Sequence, residues 1–142
     1  MFMGEFEHSL DEKNRIIIPT KLRDELGKSS VITRGTDGCL FIYPEKAWEE
    51  FVEKLKKLPG SKNGREMQRF FMAGAASCDL DKQGRVMIPQ RLLEHAAITK
   101  EVVSVGVIDK IEIWSKDRWQ AQSNIGSIDE IVDHMAEYGL SF

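Results

Sequence analysis

Residues 10–19 read LDEKNRIIIP, and residues 80–89 read LDKQGRVMIP. Leu, Asp, Arg, Ile and Pro occupy the same places in both stretches. The correspondence continues along the chain, where Trp119 stands in the second copy about where Trp48 stands in the first. A repeat of this kind indicates one supersecondary unit used twice, because so small a unit cannot bury a core alone. The chain is therefore predicted to hold two copies of a unit of roughly forty residues that pack on each other.

The residue pattern predicts a mixed α+β protein with a mainly β core. The first copy is predicted to contain a strand, a polar turn, a second strand and a short helix, over residues 5–10, 11–14, 15–18 and 20–26. A hairpin follows in each copy, with strands over residues 31–34, 39–43, 102–106 and 110–114. Helical periodicity then predicts helices over residues 48–58, 64–75 and 128–138. Ser127 and Glu130 form a capping box at the start of the last helix.

Both polar turns contain residues suited to a tight backbone path. An aspartate side chain can accept a hydrogen bond from the backbone two residues further on, so Asp11 and Asp81 are predicted to order the turns. Asn14 and Gly84 precede the arginine in each copy, and both residue types tolerate a left-handed conformation. Asp11, Asp81 and Gly84 are therefore candidate turn-ordering residues.

The composition indicates a folded chain without signs of export. Its 142 residues are 42% hydrophobic and 30% charged, with a net charge of −3. Apolar runs are far shorter than the roughly 18 residues of a membrane span, and the N-terminus lacks a signal-peptide pattern. Cys39 is predicted to be buried and Cys78, next to Asp79, to be exposed; neither has metal-type spacing. We expect a cytoplasmic protein with reduced thiols, no metal and no cofactor.

Positive charge collects around the two turns although the chain as a whole is acidic. Residues 11–23 carry four basic side chains against two acidic ones, and residues 81–91 carry three against one. Each segment therefore has a net charge of +2. DNA affinity comes largely from neutralising phosphates, and several chains side by side would add these charges along a duplex.

With the opening residues MFMGE, the two Asp-x-x-x-Arg motifs followed by Ile-Pro make the chain resemble the MraZ family of bacterial transcriptional regulators. The resemblance extends over nearly the whole chain. It implies two AbrB/MazE-like (SpoVT-AbrB) swapped-hairpin units that form a β-barrel pseudo-dimer with added helices. Residues 5–47 and 76–119 would be the two units, residues 48–75 a helical connection and residues 120–142 a C-terminal helical segment.

The resemblance also implies a sequence-specific, nucleoid-associated DNA-binding regulator, expected to repress the division and cell wall gene cluster. Its partners would be double-stranded DNA with direct repeats in its own promoter, and further copies of itself in a ring, expected to be an octamer. Head-to-tail contacts in a ring present every subunit in the same orientation, which suits direct repeats rather than palindromes. Half-sites are then expected about 10 base pairs apart.

Arg15 and Arg85 are the leading candidates for contacting DNA, because a guanidinium can bind phosphate or guanine through two hydrogen bonds. The other basic candidates, which contact either phosphate or only solvent, are Lys13, Lys21, Arg23, Lys82 and Arg91. Asn14 and Gln83 are candidates for contacting base edges, although turn geometry explains Asn14 better.

Three other interpretations stay open. Each arginine can pair with its aspartate merely to stiffen the turn. The hairpin unit also occurs in antitoxins, so an antitoxin-like protein-interaction module is the main alternative, although the capped C-terminal segment looks folded rather than extended. An enzyme is least favoured, because the sequence has no nucleophile–base set, metal set or glycine-rich nucleotide loop.

Overall fold

The computed structural model describes residues 1–123 and 126–142. The strands are β1 (Glu5–Ser9), β2 (Arg15–Ile17), β3 (Ser30–Arg34), β4 (Leu40–Pro44), β5 (Ala76–Ser77), β6 (Arg85–Met87), β7 (Glu101–Val107) and β8 (Lys110–Ser115). The helices are α1 (Thr20–Leu26), α2 (Glu45–Lys56), α3 (Lys62–Gly74), α4 (Gln90–His95), α5 (Lys116–Ser123) and α6 (Ile128–Met135), and 3-10 turns cover Thr36–Gly38 and Ala136–Tyr138. Within the two described ranges, no helix is long and apolar enough to cross a membrane.

The predicted strands and helices are confirmed, with ends shifted by a few residues. Helix α3 begins at Lys62 rather than at residue 64, because the Ser61 hydroxyl caps it by accepting a hydrogen bond from the backbone N–H of Gly64 (3.3 Å). The residue pattern does not predict α5, because the mainly polar residues of this helix form no apolar stripe around Trp119. Helix α5 also runs across residue 119, where the second unit is predicted to end.

The two copies share one sheet. Six strands form an antiparallel sheet in the order β1–β7–β8–β4–β3–β5, and β2 and β6 form a separate antiparallel pair. The order reads the same from either edge when each strand is replaced by its equivalent in the other copy, so a local two-fold axis passes between β4 and β8. At the edges the copies exchange strands, since β1 pairs with β7 of the second copy and β5 pairs with β3 of the first.

The large sheet does not close into the predicted β-barrel. Among the described residues its edges are β1 and β5, and closure would require these edge strands to pair with each other. Strand β5 pairs through only two residues, Ala76 and Ser77. Beyond each edge strand the chain turns, at Asp11 and at Asp81, into the separate β2–β6 pair. The edges therefore lead into a second layer instead of meeting.

The β2–β6 pair covers one face of the sheet. Ile16 lies opposite Val86, both are 1% exposed, and both belong to one apolar core with Ile42 and Ile113 of the sheet. Leu22 of α1, which follows β2 directly, joins the same core. Burying this face fixes which way the β2–β6 pair lies, because alternate residues of a strand point to opposite sides.

The opposite face of the sheet carries an aromatic core. Phe41 and Tyr43 alternate with the residues of the first core and pack against α2 and α3. The ring centroids of Tyr43 and Phe51 are 5.3 Å apart. Trp48 and Trp119 also pack against this cluster.

Both cysteines are buried, as predicted for Cys39 and contrary to the prediction for Cys78. The backbone N–H of Cys78 donates to the carbonyl of Ser30 (2.8 Å), and the Ser30 hydroxyl donates to the carbonyl of Cys78. These bonds hold the segment around Cys78 against β3. The charged neighbour Asp79 suggested exposure, because a contact with a distant strand cannot be read from adjacent residues. Burial raises the pKa of both thiols to about 12, so neither forms a thiolate readily at neutral pH.

Candidate nucleic-acid interface

The first turn is built around the carboxylate of Asp11. Its Oδ1 accepts hydrogen bonds from the backbone N–H groups of Lys13 (2.9 Å) and Arg15 (2.8 Å), and its Oδ2 accepts one from Nε of Arg15 (2.8 Å). The backbone N–H of Asn14 donates to the carbonyl of Asp11 (3.1 Å). Asn14 has a φ of 59°, the left-handed conformation predicted for this position.

The second turn has the same geometry. Asp81 accepts hydrogen bonds from the backbone N–H groups of Gln83 and Arg85 at 2.9 Å and from Nε of Arg85 at 2.8 Å. Gly84 has a φ of 77°. Each of these three bonds has its counterpart in the first turn, with a nearly equal distance between donor and acceptor. The arrangement therefore belongs to the motif itself, since every bond lies within four residues of the aspartate.

These bonds favour the ionised form of both aspartates. Partial burial raises the pKa of Asp11, but a larger combined effect lowers it below its usual value. That effect comes from the hydrogen bonds donated by the backbone and side chain of Arg15 and by the Lys13 N–H, together with the positive charge of Arg15. The pKa of Asp81 is lowered chiefly by the backbone N–H of Arg85, with help from its side chain. Each turn therefore holds a carboxylate whose charge is matched by one arginine.

Each aspartate binds its arginine at Nε, so the aspartate uses neither terminal nitrogen of the guanidinium. Within the described ranges, no acceptor contacts either terminal nitrogen of Arg15. In the second copy Nη2 of Arg85 donates to the side-chain oxygen of Gln83 (2.8 Å). The Nη1–Nη2 edge is the part of arginine that binds phosphate or guanine with two hydrogen bonds. Pairing with aspartate and reaching an outside ligand are therefore compatible here.

The β2–β6 pair brings both arginines to one surface. Arg15 lies opposite Met87, and Arg85 lies opposite Ile17. Residues directly opposite in an antiparallel pair share a face, so these four side chains lie on the side away from the core. The two arginines are diagonal neighbours, with Cα atoms roughly 7–8 Å apart. We call the face formed by Arg15, Ile17, Arg85 and Met87 the arginine face.

Two large apolar side chains on the arginine face were not predicted from the sequence. Ile17 is 52% exposed and Met87 is 61% exposed, although both lie in strands next to buried residues. The signal was present in the alternation of the strand, because a buried Ile16 requires residue 17 to point the same way as Arg15. An apolar side chain in this place can contact the methyl group of thymine.

The other basic candidates surround the arginine face or lie near it. Lys13, Lys82 and Lys21 are exposed, the first two at the tips of the turns. Arg23 differs, because its Nε donates to the carbonyl of Ile18 (2.7 Å) and its guanidinium lies against Gly84. Arg91 points to α3, where its Nη1 donates to the carbonyl of Gly74 (3.1 Å).

The side chain of Asn14 contacts the second copy, since its Nδ2 donates a hydrogen bond to Oε1 of Gln90 (3.4 Å). In the second copy, Gln83 is exposed beside Arg85.

An additional basic residue was not predicted. Lys28 lines a surface cleft of about 500 Å³ together with Arg23 and Lys82, next to the second turn. Its position after the end of α1 carries no sequence signal of function.

The described part of the chain has no group of three or more His, Cys, Asp or Glu side chains arranged to hold a metal ion. His8 has a different role, since its Nε2 forms a 2.7 Å hydrogen bond with the hydroxyl of Ser104 across β1 and β7. Burial lowers the pKa of His8 despite a backbone hydrogen bond involving Ile17. His8 therefore makes a structural contact between β1 and β7 and is not part of the arginine face.

Comparisons with known proteins agree with the repeat. The family profile described as "MraZ protein, putative antitoxin-like" matches residues 1–71 and again residues 70–131. The chain is 58% identical over 142 residues to Transcriptional regulator MraZ of Lachnoclostridium phytofermentans, and the alignment covers both chains completely. It is 52% identical to the protein of the same name from Clostridium acetobutylicum and 50% identical to that from Pediococcus pentosaceus, over 99% of this chain and the whole of each relative.

Proposed function

Because the chain belongs to the MraZ family, we propose that it is a DNA-binding transcriptional regulator and that the arginine face is its DNA-contacting surface. The observation that carries the proposal is the matched pair of aspartate-held arginines on one exposed face, related by a local two-fold axis. A structural ion pair alone does not require both arginines to lie on the same exposed surface, with the terminal nitrogens open in Arg15 and one of them bound to Gln83 in Arg85.

The proposed contact with DNA uses each part of the turn. The aspartate fixes the guanidinium before DNA arrives, so little side-chain freedom is lost on binding. The Nη1–Nη2 edge of Arg15 or Arg85 binds phosphate or guanine, and Lys13, Lys21 and Lys82 neutralise nearby phosphates. Arg23, Arg91 and Asn14 are proposed as weaker contributors, because each already donates to a protein acceptor.

The finer parts of the proposal concern the target and the assembly. We propose that the chain represses its own promoter and the division and cell wall gene cluster in the bacterial cytoplasm, bound to direct repeats on the nucleoid. The strand exchange at both sheet edges supports two swapped-hairpin units, over residues 5–47 and 76–119. A ring-shaped oligomer, proposed to be an octamer, would carry identical arginine faces past successive repeats.

Fluorescence anisotropy with duplex DNA from upstream of this gene tests the proposal across a salt series. Arg15→Ala and Arg85→Ala should each weaken specific binding by roughly 5- to 150-fold, which corresponds to about 1–3 kcal/mol for a good two-bond contact. Lys54→Ala is a control of equal charge change, because α2 lies on the opposite side of the sheet. Affinity that is indifferent to both arginines contradicts the assignment.

An antitoxin-like module is the second candidate. It is favoured by the exposed apolar side chains near the C-terminus, among them Ile128 and Met135, which a partner protein would cover. Co-purification of one small protein in a fixed ratio, together with wild-type behaviour of both arginine variants on DNA, would select this function instead.

A further inference from the structure

A cleft of about 500 Å³ opens beside the second turn, between the segment that follows α1 and the chain around Asp81. Its charged lining residues are Arg23, Lys28, Lys82, Asp79 and Asp81. Asp81 is paired with its own arginine within the turn, so three basic side chains remain against the single carboxylate of Asp79. The cleft therefore has a surplus of positive charge, although the chain as a whole is acidic. We call it the second-turn cleft.

Two of the basic side chains have hydrogen-bond donors that the protein does not use. Lys28 is exposed, and its ammonium group forms no hydrogen bond or ion pair with any residue in the described part of the chain, Asp79 included. Arg23 is held in place through Nε, which donates to the carbonyl of Ile18 (2.7 Å), and its guanidinium lies against Gly84. Neither terminal nitrogen of Arg23 has an acceptor among the residues described. A fixed guanidinium beside a free ammonium group is a suitable arrangement for binding a phosphate.

The corresponding positions at the first turn do not carry this charge. Leu93 takes the place of Arg23 in the repeat and is buried, and Glu12 takes the place of Lys82. The local two-fold axis therefore relates the two turns and their arginines, but it does not relate the charges beside them.

Lys100 is the structural equivalent of Lys28, although the offset of 70 residues does not align the two lysines. The carbonyl of Lys28 accepts a hydrogen bond from the N–H of Leu80 (3.4 Å), and the carbonyl of Lys100 accepts one from the N–H of Leu10 (2.8 Å). Lys100 is also exposed, but it lines a smaller cleft of about 140 Å³ next to Asp117 at the start of α5. The lining of that cleft includes no residue of the first turn. Only Lys28 is therefore placed beside a turn.

We propose that the second-turn cleft binds a phosphate of the DNA backbone, with Lys28 as the binding residue and Arg23 as a fixed positive charge beside it. The cleft reaches Gly84, which directly precedes Arg85, so it continues the arginine face at one end. The inference rests on the proposed function and adds an unequal role for the two turns. The second turn is anchored to the backbone on its outer side and the first is not, which gives the chain a direction on DNA despite its local two-fold axis.

Fluorescence anisotropy of the full-length chain on duplex DNA from upstream of this gene tests the cleft across a salt series. Lys28→Gln should weaken binding about equally on specific and unrelated sequences, and should reduce the slope of log affinity against log salt by about 1 for each chain bound. Lys100→Gln is the matched control, with the same charge change at the equivalent position, and should keep the wild-type slope. Thermal unfolding establishes that each variant is folded.

Uncharged phosphates locate the contact on the DNA. In a set of duplexes, each with one phosphate replaced by methylphosphonate, one replacement should weaken binding of the wild type and of Lys100→Gln but not of Lys28→Gln. Thermal unfolding in sodium phosphate and in sodium chloride of equal ionic strength provides the comparison with a free anion. Stabilisation by phosphate that requires Lys28, without any effect of Lys28 on DNA affinity, would assign the cleft to a free anion and overturn the DNA contact.

Two further results would overturn the inference. One is a wild-type salt slope in Lys28→Gln, and the other is an equal loss in Lys28→Gln and Lys100→Gln. If Arg85→Ala still weakens specific binding in either case, the proposed function stands without the cleft. Binding that depends on Lys28 but is indifferent to Arg15→Ala and Arg85→Ala would instead reject the arginine face and keep the cleft.

Discussion

Ile16 lies directly opposite Val86 in the β2–β6 pair, and Val86 is the residue that corresponds to Ile16 in the second copy. A residue can pair with its own equivalent only where a two-fold axis passes between them. The axis therefore runs through the centre of the pair and relates Arg15 to Arg85. This one register places two arginines that are far apart in sequence on one exposed face.

We expect Asp11→Asn to lower the free energy of unfolding at neutral pH, because asparagine keeps the shape but loses the charge that holds Arg15. The pKa of Asp11 is lowered in the folded state. Its contribution is therefore complete above the usual carboxyl pKa and is lost as pH falls through the lowered one. Urea unfolding of both proteins between about pH 7 and about pH 2.5, on either side of the usual aspartate pKa, should show the difference shrinking at the acid end.

The control for that prediction is Asp24→Asn, an exposed aspartate in α1 outside both turns. Asp81→Asn should behave like Asp11→Asn, since Asp81 accepts the same three hydrogen bonds. A pH-independent difference for both turn variants would show that the aspartate charge does not stabilise the turn.

Gly84→Ala should destabilise the chain by about 1–3 kcal/mol, the usual cost of a left-handed conformation for a residue with a side chain. A Cβ at this position would also clash with the Arg23 guanidinium. Asn14→Gly is the matched change at the equivalent position and should cost less than about 1 kcal/mol. Equal losses in urea unfolding would contradict the cost assigned to the left-handed conformation and the Arg23 contact at Gly84.

Ile17→Thr with Met87→Gln should leave stability within about 0.5 kcal/mol, because both side chains are exposed. Each replacement keeps the approximate shape of the side chain while removing apolar character. We expect the wild type to prefer promoter DNA with thymine over the same DNA with uracil, which lacks the methyl group, and the double variant to lose that preference. Anisotropy with the two duplexes measures both, with Met72→Gln as the control. A variant that still distinguishes thymine from uracil would rule out this contact.

His8 should make the chain less stable as pH falls below about 6.5, the ordinary value for histidine. Burial lowers the pKa of His8 in the folded state, so below 6.5 the unfolded chain binds a proton that the folded chain does not. The loss continues until pH reaches the lowered pKa. Urea unfolding between about pH 5 and about pH 8, on either side of the ordinary histidine pKa, should show a smaller slope for His8→Gln. The exposed His134→Gln should leave the slope as in the wild type.

The sequence by itself determined the duplication, the two turns and most helices and strands. These features are local, since every hydrogen bond that Asp11 makes in its turn lies within four residues of it. The residue types that such a turn needs are therefore readable from neighbouring positions. The left-handed conformations of Asn14 and Gly84 follow from the same local requirement.

Only the tertiary structure decided how the copies combine. The pairing of β2 with β6, the open sheet and the burial of Cys78 depend on contacts between residues tens of positions apart in the chain. Such contacts depend on how much apolar surface the whole chain buries in both cores, and this quantity cannot be read from a short stretch of sequence. The same global choice left Ile17 and Met87 exposed between the two arginines, so the candidate site had to be completed from the fold.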